Sequence, residues 1–322
     1  MNTTLRRGRF LAGLAAASAA SACGGGNGAS LPAPTIGGVP GTLYVADSTP
    51  ALLAFPLPML QGGNEAPALR IAGPNDTLTA PYAIAHDPSG SVYVSETTST
   101  TINVFSGATG GNVAPQRTIG GSATLIQAAS PLALEPSGAL LVAVTLASGG
   151  GAILRFASGA TGNVAPSAMI AGPATTLVAP NALAVGSDGT IVVTEASGGL
   201  KVFAPGASGN VAPARTPGDT SVIPPIAVDA DGTIYAVAAQ RLVTFASSAG
   251  TGSPPTSTVR LNFLGATNPV LRQIAVDAAN LYVVVVNLAA VYVFAKGTLD
   301  GNPLALLSGA NTTLATPLAV AR

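Results

Sequence analysis

From residue 41 onward, apolar residues come in short runs separated by clusters of Gly, Pro, Asp and Ser. "GTLYVAD" at Gly41–Asp47, "SVYVSE" at Ser91–Glu96 and "TIYAVA" at Thr233–Ala238 are examples. Runs of this length, rich in Val, Ile and Tyr and bounded by turn residues, predict strands rather than helices. None after the first twenty-odd residues approaches the roughly 18 apolar residues a membrane-spanning helix needs.

The strand pattern repeats. "GNVAP" stands at Gly111–Pro115, Gly162–Pro166 and Gly209–Pro213, and a period near fifty residues is the size of a unit that buries its apolar face only by stacking on copies of itself. Aligned on that phrase, each copy reads as three strands, as in "YAIAHDPSGSVYVSETTSTTINVF" at Tyr82–Phe105, followed after the "NVAP" loop by a fourth segment such as "QRTIG". Phe55, Phe105, Phe156, Phe203, Phe245 and Phe294 close the third strand of six units. A central Ala of the first strand also recurs six times, as Ala85, Ala133, Ala184, Ala227, Ala275 and Ala319.

The two series are out of step. The first Phe precedes the first Ala, and the last Ala follows the last Phe, so unit one lacks a first strand and "PLAVAR" at Pro317–Arg322 lacks a unit. Pairing that segment with Leu43–Val45 gives an all-β fold: a six-bladed β-propeller of four-stranded blades, its ring closed by the C-terminal strand in the first blade. Closure removes an exposed sheet edge. In this arrangement Ala belongs where six inner strands crowd the axis, and Phe belongs where the gaps between blades widen. Asp87, Glu135, Asp229 and Asp277 recur at the first turn, where a carboxylate accepts backbone N–H bonds.

The unit resembles the NHL repeat over about residues 41–322, best in "GTLYVADS" at Gly41–Ser48. The resemblance implies the six-bladed propeller of that group. The family's polar, His- and Arg-containing turn after "VADS" is replaced here by "TPALLAF", "TTSTTINVF" and "SGGLKVF", so the family's ligand contacts do not transfer by residue.

Composition sharpens the picture at the N-terminus. Arg6, Arg7 and Arg9, the apolar "LAGLAAASAA" and the small residues before Cys23 have the layout of an export signal over residues 1–22. The stretch also resembles a bacterial lipoprotein leader, which implies cleavage before Cys23 and acylation of that residue. Residues 23–40 then form a Gly- and Pro-rich linker holding residues 41–322 off a membrane. An ordinary secretory signal, giving a secreted or periplasmic protein, is the alternative to a lipid-anchored protein of the bacterial cell envelope. Arg6 and Arg7 ahead of Phe10 and Leu11 also resemble a twin-arginine signal.

Cys23 is the chain's single cysteine, so disulfides cannot support the fold. Without residues 1–22, ten Lys/Arg face thirteen Asp/Glu, which leaves no basic field for nucleic acid. A monomer is expected.

Candidate chemistry is sparse. His86, the only histidine, occupies the slot of Leu134, Val185, Val228, Val276 and Val320, which suits a packed interior residue; the alternative is a ligand or base on a binding face shared with Asp47, Glu96 and Glu195. Asp47, Glu96 and Glu195 each follow a turn Gly by six residues and mark one face of the disk, with Val144, Ala238 and about Val286 in the other units. They read as solvated loop ends or as a calcium or polar-ligand set. Asn112, Asn163 and Asn210 of "GNVAP" read as turn residues.

Two function classes remain open. One is a tethered, non-enzymatic module binding a protein, glycan or small molecule, with no cofactor. The other is a lactonase-like or related metal-dependent hydrolase.

Overall fold

The computed structural model describes residues 41–57, 63–218, 221–238, 241–263, 267–296 and 301–322. Residues 1–40, on which the expected export signal, the expected acylation of Cys23 and the expected linker fall, lie outside the described residues. No helix among the described residues is long and apolar enough to cross a membrane.

Six antiparallel sheets follow one another, each with its first strand innermost. Blade 1 orders Pro317–Ala321, Gly41–Asp47, Ala51–Leu57 and Leu69–Ile71, so the two ends of the described chain share one sheet. Blade 2 is Pro81–His86, Ser91–Glu96, Ile102–Ser106 and Arg117–Ile119; blade 3 is Leu132–Leu134, Leu140–Thr145, Gly151–Phe156 and Ala168–Ala171. Blade 4 is Pro180–Val185, Ile191–Glu195 and Leu200–Phe203. Blade 5 is Val222–Val228, Ile234–Ala238, Arg241–Phe245 and Ser257–Val259; blade 6 is Leu271–Val276, Asn280–Val285, Ala290–Ala295 and Pro303–Leu307. Each innermost strand contacts those of its two neighbours, and the last contacts the first through Pro317–Ala321. The fold is therefore an all-β, six-bladed propeller closed by its C-terminal strand.

Blade 4 departs from four strands. Its outer position is a single bridge, Val202 with Arg215. Pro217 stands there where blade 2 has Ile119, and without an N–H or a branched side chain it cannot extend the ladder.

The core is six separate clusters, one in each gap between blades, and each contains one of the six Phe, exposed by 1% or less. The central Ala lies in the same gap on the preceding blade: Ala275 is in the cluster of Phe55, and Ala85 packs on that of Phe156. Small at the axis and large further out, the pair fills a wedge.

The register corrects one expectation. Tyr44 pairs with Ala321 as Tyr93 pairs with Ala85, so Ala321 rather than Ala319 is the sixth central Ala, and Arg322 rather than Val320 occupies the His86 slot. "PLAVAR" matches "PYAIAH" residue for residue. Likewise Val285, not Val286, stands opposite the start of the blade 6 inner strand.

"GNVAP" proves to be a clasp between blades. Asn112, Asn163 and Asn210 accept the backbone N–H of Asn75, Ala123 and Ala174 at 2.7–2.8 Å, each in the loop leaving the preceding blade. Asn64, in "GNEAP", does the same for Asn311 at 2.9 Å and clasps blade 1 to blade 6. The clasped loop needs glycine: Gly121 has φ +120°, and a Cβ there would lie 2.5 Å from the Asn163 side chain.

Candidate functional site

The feature that shapes the axis is an irregularity in the inner strands. In blade 2 the pairing steps from Pro81–Glu96 to Ala83–Ser95, in blade 4 from Pro180–Glu195 to Ala182–Thr194, and in blade 1 from Pro317–Asp47 to Ala319–Ala46. Tyr82, Asn181 and Leu318 are thus single bulge residues. Blade 5 leaves Pro224 and Pro225 unpaired between Ile223 and Ile226, and blade 6 leaves Arg272 and Gln273 unpaired between Leu271 and Ile274. A bulge rotates its side chain away from the alternation of the sheet.

Here the rotated side chains surround a cavity of about 270 Å³, lined by the inner strands of blades 2 to 6 and including Tyr82, Asn181, Pro224, Pro225, Arg272 and Gln273. It lies at the starting end of the inner strands, so it opens on one face of the ring. Arg272 supplies the only charge in its wall. The guanidinium sits 4.6 Å from the ring centroid of Tyr82, and no carboxylate lies within ion-pair distance among the described residues. Asn181 turns its Oδ1 to the Thr194 hydroxyl at 2.9 Å, which orients the amide.

Asp47, Glu96 and Glu195 lie at the same end, one strand further out, but they are not solvated. All three are buried, because each carboxylate holds the loop entering its own blade. Asp47 Oδ2 accepts the amides of Ala315 and Thr316 at 3.1 and 3.0 Å. Glu96 Oε2 accepts those of Thr79 and Ala80 at 3.1 and 2.6 Å, and Glu195 Oε2 those of Val178 and Ala179 at 3.2 and 2.8 Å. The Nζ of Lys201 lies 3.0 Å from Glu195 Oε1. Asn287 plays this part in blade 6, accepting the Val270 amide at 2.9 Å. No group of three or more His, Cys, Asp or Glu among the described residues is arranged to hold a metal ion.

His86 is at the opposite end of blade 2, beside the first turn. Its Nδ1 lies 3.3 Å from the Asp87 carbonyl oxygen and its ring 5.4 Å from that of Tyr44. The structure therefore does not bring His86 together with the three carboxylates.

The first-turn acids form their own array on that face. Asp229 pairs with Lys296 at 2.5 Å and Glu135 with Arg155 at 2.8 Å. Burial works to raise the Asp277 carboxyl, but the amides of Ala279 and Asn280, the Tyr282 phenol and Arg322 together hold it below its usual value. Tyr282 is raised in turn by burial and by Asp277.

The pocket residues were missed by a reading that looked for carboxylates, histidine and cysteine. Three of the bulges carry Pro-x-Ala, as Pro81-Tyr82-Ala83, Pro180-Asn181-Ala182 and Pro317-Leu318-Ala319, but Pro131-Leu132-Ala133 has the same pattern and Leu132 pairs with Val142 in regular register, so the pattern alone does not mark a bulge. In the three bulged strands proline opens the strand because it has no ladder N–H to give, and the next residue is the bulge.

No family model matches the chain, and no curated protein matches it. Among solved structures, it is similar to a protein of unknown function from Bacteroides caccae, with a TM-score of 0.58, 12% identity, and coverage of 88% of this chain and 98% of that one. It is also similar to a chain in the crystal structure of a nidogen/laminin complex, with a TM-score of 0.58, 12% identity, and coverage of 87% and 97%. At these identities the likeness is one of fold.

Proposed function

We propose that this chain is a non-enzymatic binding module, an NHL-like propeller tethered to the cell envelope through a lipid on Cys23, whose ligand enters the axial pocket. The observation that carries the reading is that bulges in blades 2, 4, 5 and 6 all turn side chains into one cavity. Bulges weaken the ladder locally and cluster beside functional sites. The wall supplies a guanidinium, a phenol and side-chain amides, groups that orient a ligand by hydrogen bonds.

The hydrolase reading is less well supported. It needs carboxylates or imidazole converging on one point, whereas Asp47, Glu96 and Glu195 are committed to backbone amides and His86 lies at the other end of its blade. A thermal-shift screen of small molecules on the full chain and on Asn181→Trp, which fills the pocket, tests the proposal. Ligands that stabilise the wild type and lose their effect on the variant are expected. Ligands that stabilise both equally would overturn it.

A further inference from the structure

The pocket face is chemically lopsided. Ile223 and Val270 are exposed by 45% and 52%; Ile223 is the second residue of the blade 5 inner strand, Val222–Val228, and Val270 immediately precedes that of blade 6. Ile223 and Val270 are chain neighbours of the pocket residues Pro224 and Leu271. Exposed apolar side chains thus adjoin the pocket residues of blades 5 and 6, next to Arg272, an exposed cation without an ion-pair partner among the described residues.

Resting on the binding reading above, we propose that the ligand is a free amphiphilic carboxylate. Its head pairs with Arg272, and its hydrocarbon portion lies on Ile223 and Val270. The Arg272 guanidinium carbon lies 4.6 Å from the Tyr82 ring centroid in the pocket wall, and the planar fork of a guanidinium is one a carboxylate accepts bidentately. Gln273, on the same bulge, supplies a further donor. The cavity, about 270 Å³, falls just short of the roughly 300–1,000 Å³ of pockets that enclose a drug-sized molecule. It holds a head group and the start of a chain and leaves the rest of the chain for exposed Ile223 and Val270.

Isothermal titration of the full chain separates the parts. Octanoate should bind, and acetate, octanol and octylammonium should each bind at least about tenfold more weakly, since a charge-assisted bond and several buried methylenes are each worth that factor. Arg272→Gln should weaken octanoate about tenfold or more and leave octanol unchanged. Val270→Ser should weaken octanoate without changing acetate. Equal binding of octanoate and octylammonium, or an unchanged octanoate affinity in Arg272→Gln, would overturn the proposal. So would binding to anionic phospholipid vesicles with no binding of free octanoate. If octanoate fails while a neutral compound binds the wild type and not Asn181→Trp, the ligand class is wrong and the pocket assignment stands. If nothing is lost in Asn181→Trp, the pocket assignment fails as well.

Discussion

The guanidinium carbon of Arg272 lies 4.6 Å from the ring centroid of Tyr82, although the two belong to blades 6 and 2, with blade 1 between them. Two bulge residues meet across the mouth of the axis over the inner strand formed by Pro317–Ala321. The contact exists only because the ring is closed. A cation–π pair of this kind contributes about 0.5–1 kcal/mol at an exposed site, so Tyr82→Ala should leave the fold intact while loosening Arg272. Unfolding of Tyr82→Ala should differ from wild type by little more than that amount in denaturant titrations.

Closure can be tested from the C-terminal strand. Ala319 and Val320 are fully buried, and Tyr44, Val45 and Ala46 take Ala321, Val320 and Ala319 as partners. Burial of a Val side chain is worth about 1.5–3 kcal/mol, and the loss of ladder bonds adds to it. Deleting Pro317–Arg322 should lower the melting temperature by roughly 10 °C or more, or cause aggregation. An unchanged melting temperature would contradict closure.

The same strand carries a pH dependence. Arg322 Nε donates to Asp277 Oδ2 at 3.1 Å, joining blade 1 to blade 6. Asp277 is held below its usual value in the folded state, so its contribution is complete above the unfolded value of about 3.9 and is lost as pH falls through the folded value. Asp277→Asn should be less stable than wild type near neutrality, and the difference should shrink below about pH 4. A difference that persists or grows in acid would rule out this linkage.

One position is expected to improve. In the loops entering blades 3, 4 and 1, the hydroxyls of Thr124, Thr175 and Thr312 donate to a Gly carbonyl at 2.6–2.7 Å and accept an amide two residues on. Asp76 takes that place in the loop entering blade 2. Its Oδ1 accepts the Leu78 amide at 2.8 Å, but Oδ2 is buried without a hydrogen-bond partner. Asp76→Thr should raise stability by about 1–3 kcal/mol, the usual cost of an unmet buried polar group. Denaturant titration of the variant checks the sign.

Much of the fold was legible because it repeats. Six Phe and six Ala fix blade number, and their offset fixes closure, since each answers to one wedge-shaped gap. The slip from Ala321 to Ala319 arose because "PLAVAR" has two Ala two residues apart on the same side of the strand, and only pairing with Tyr44 separates them. The carboxylates misled for a related reason. Spacing placed Asp47, Glu96 and Glu195 at strand ends, but their burial depends on loops that fold back over them, which spacing along one strand does not reveal. The pocket was the least legible part, because a bulge changes the direction of Tyr82, Asn181 and Arg272 without changing their residue type.

The six tyrosines offer the most direct test of the axial site. Tyr82 lines the pocket, whereas the phenols of Tyr93, Tyr235 and Tyr282 reach Asp87, Asp229 and Asp277 at the opposite end of their blades. Ring-labelled tyrosine spectra of the full chain, with Tyr82 assigned through Tyr82→Phe, should be recorded during titration with octanoate or any compound that raises the melting temperature. The account predicts a saturable shift of the Tyr82 ring with Tyr93, Tyr235 and Tyr282 unmoved. A silent Tyr82 with shifts at the first-turn tyrosines would place binding on the other face and contradict it.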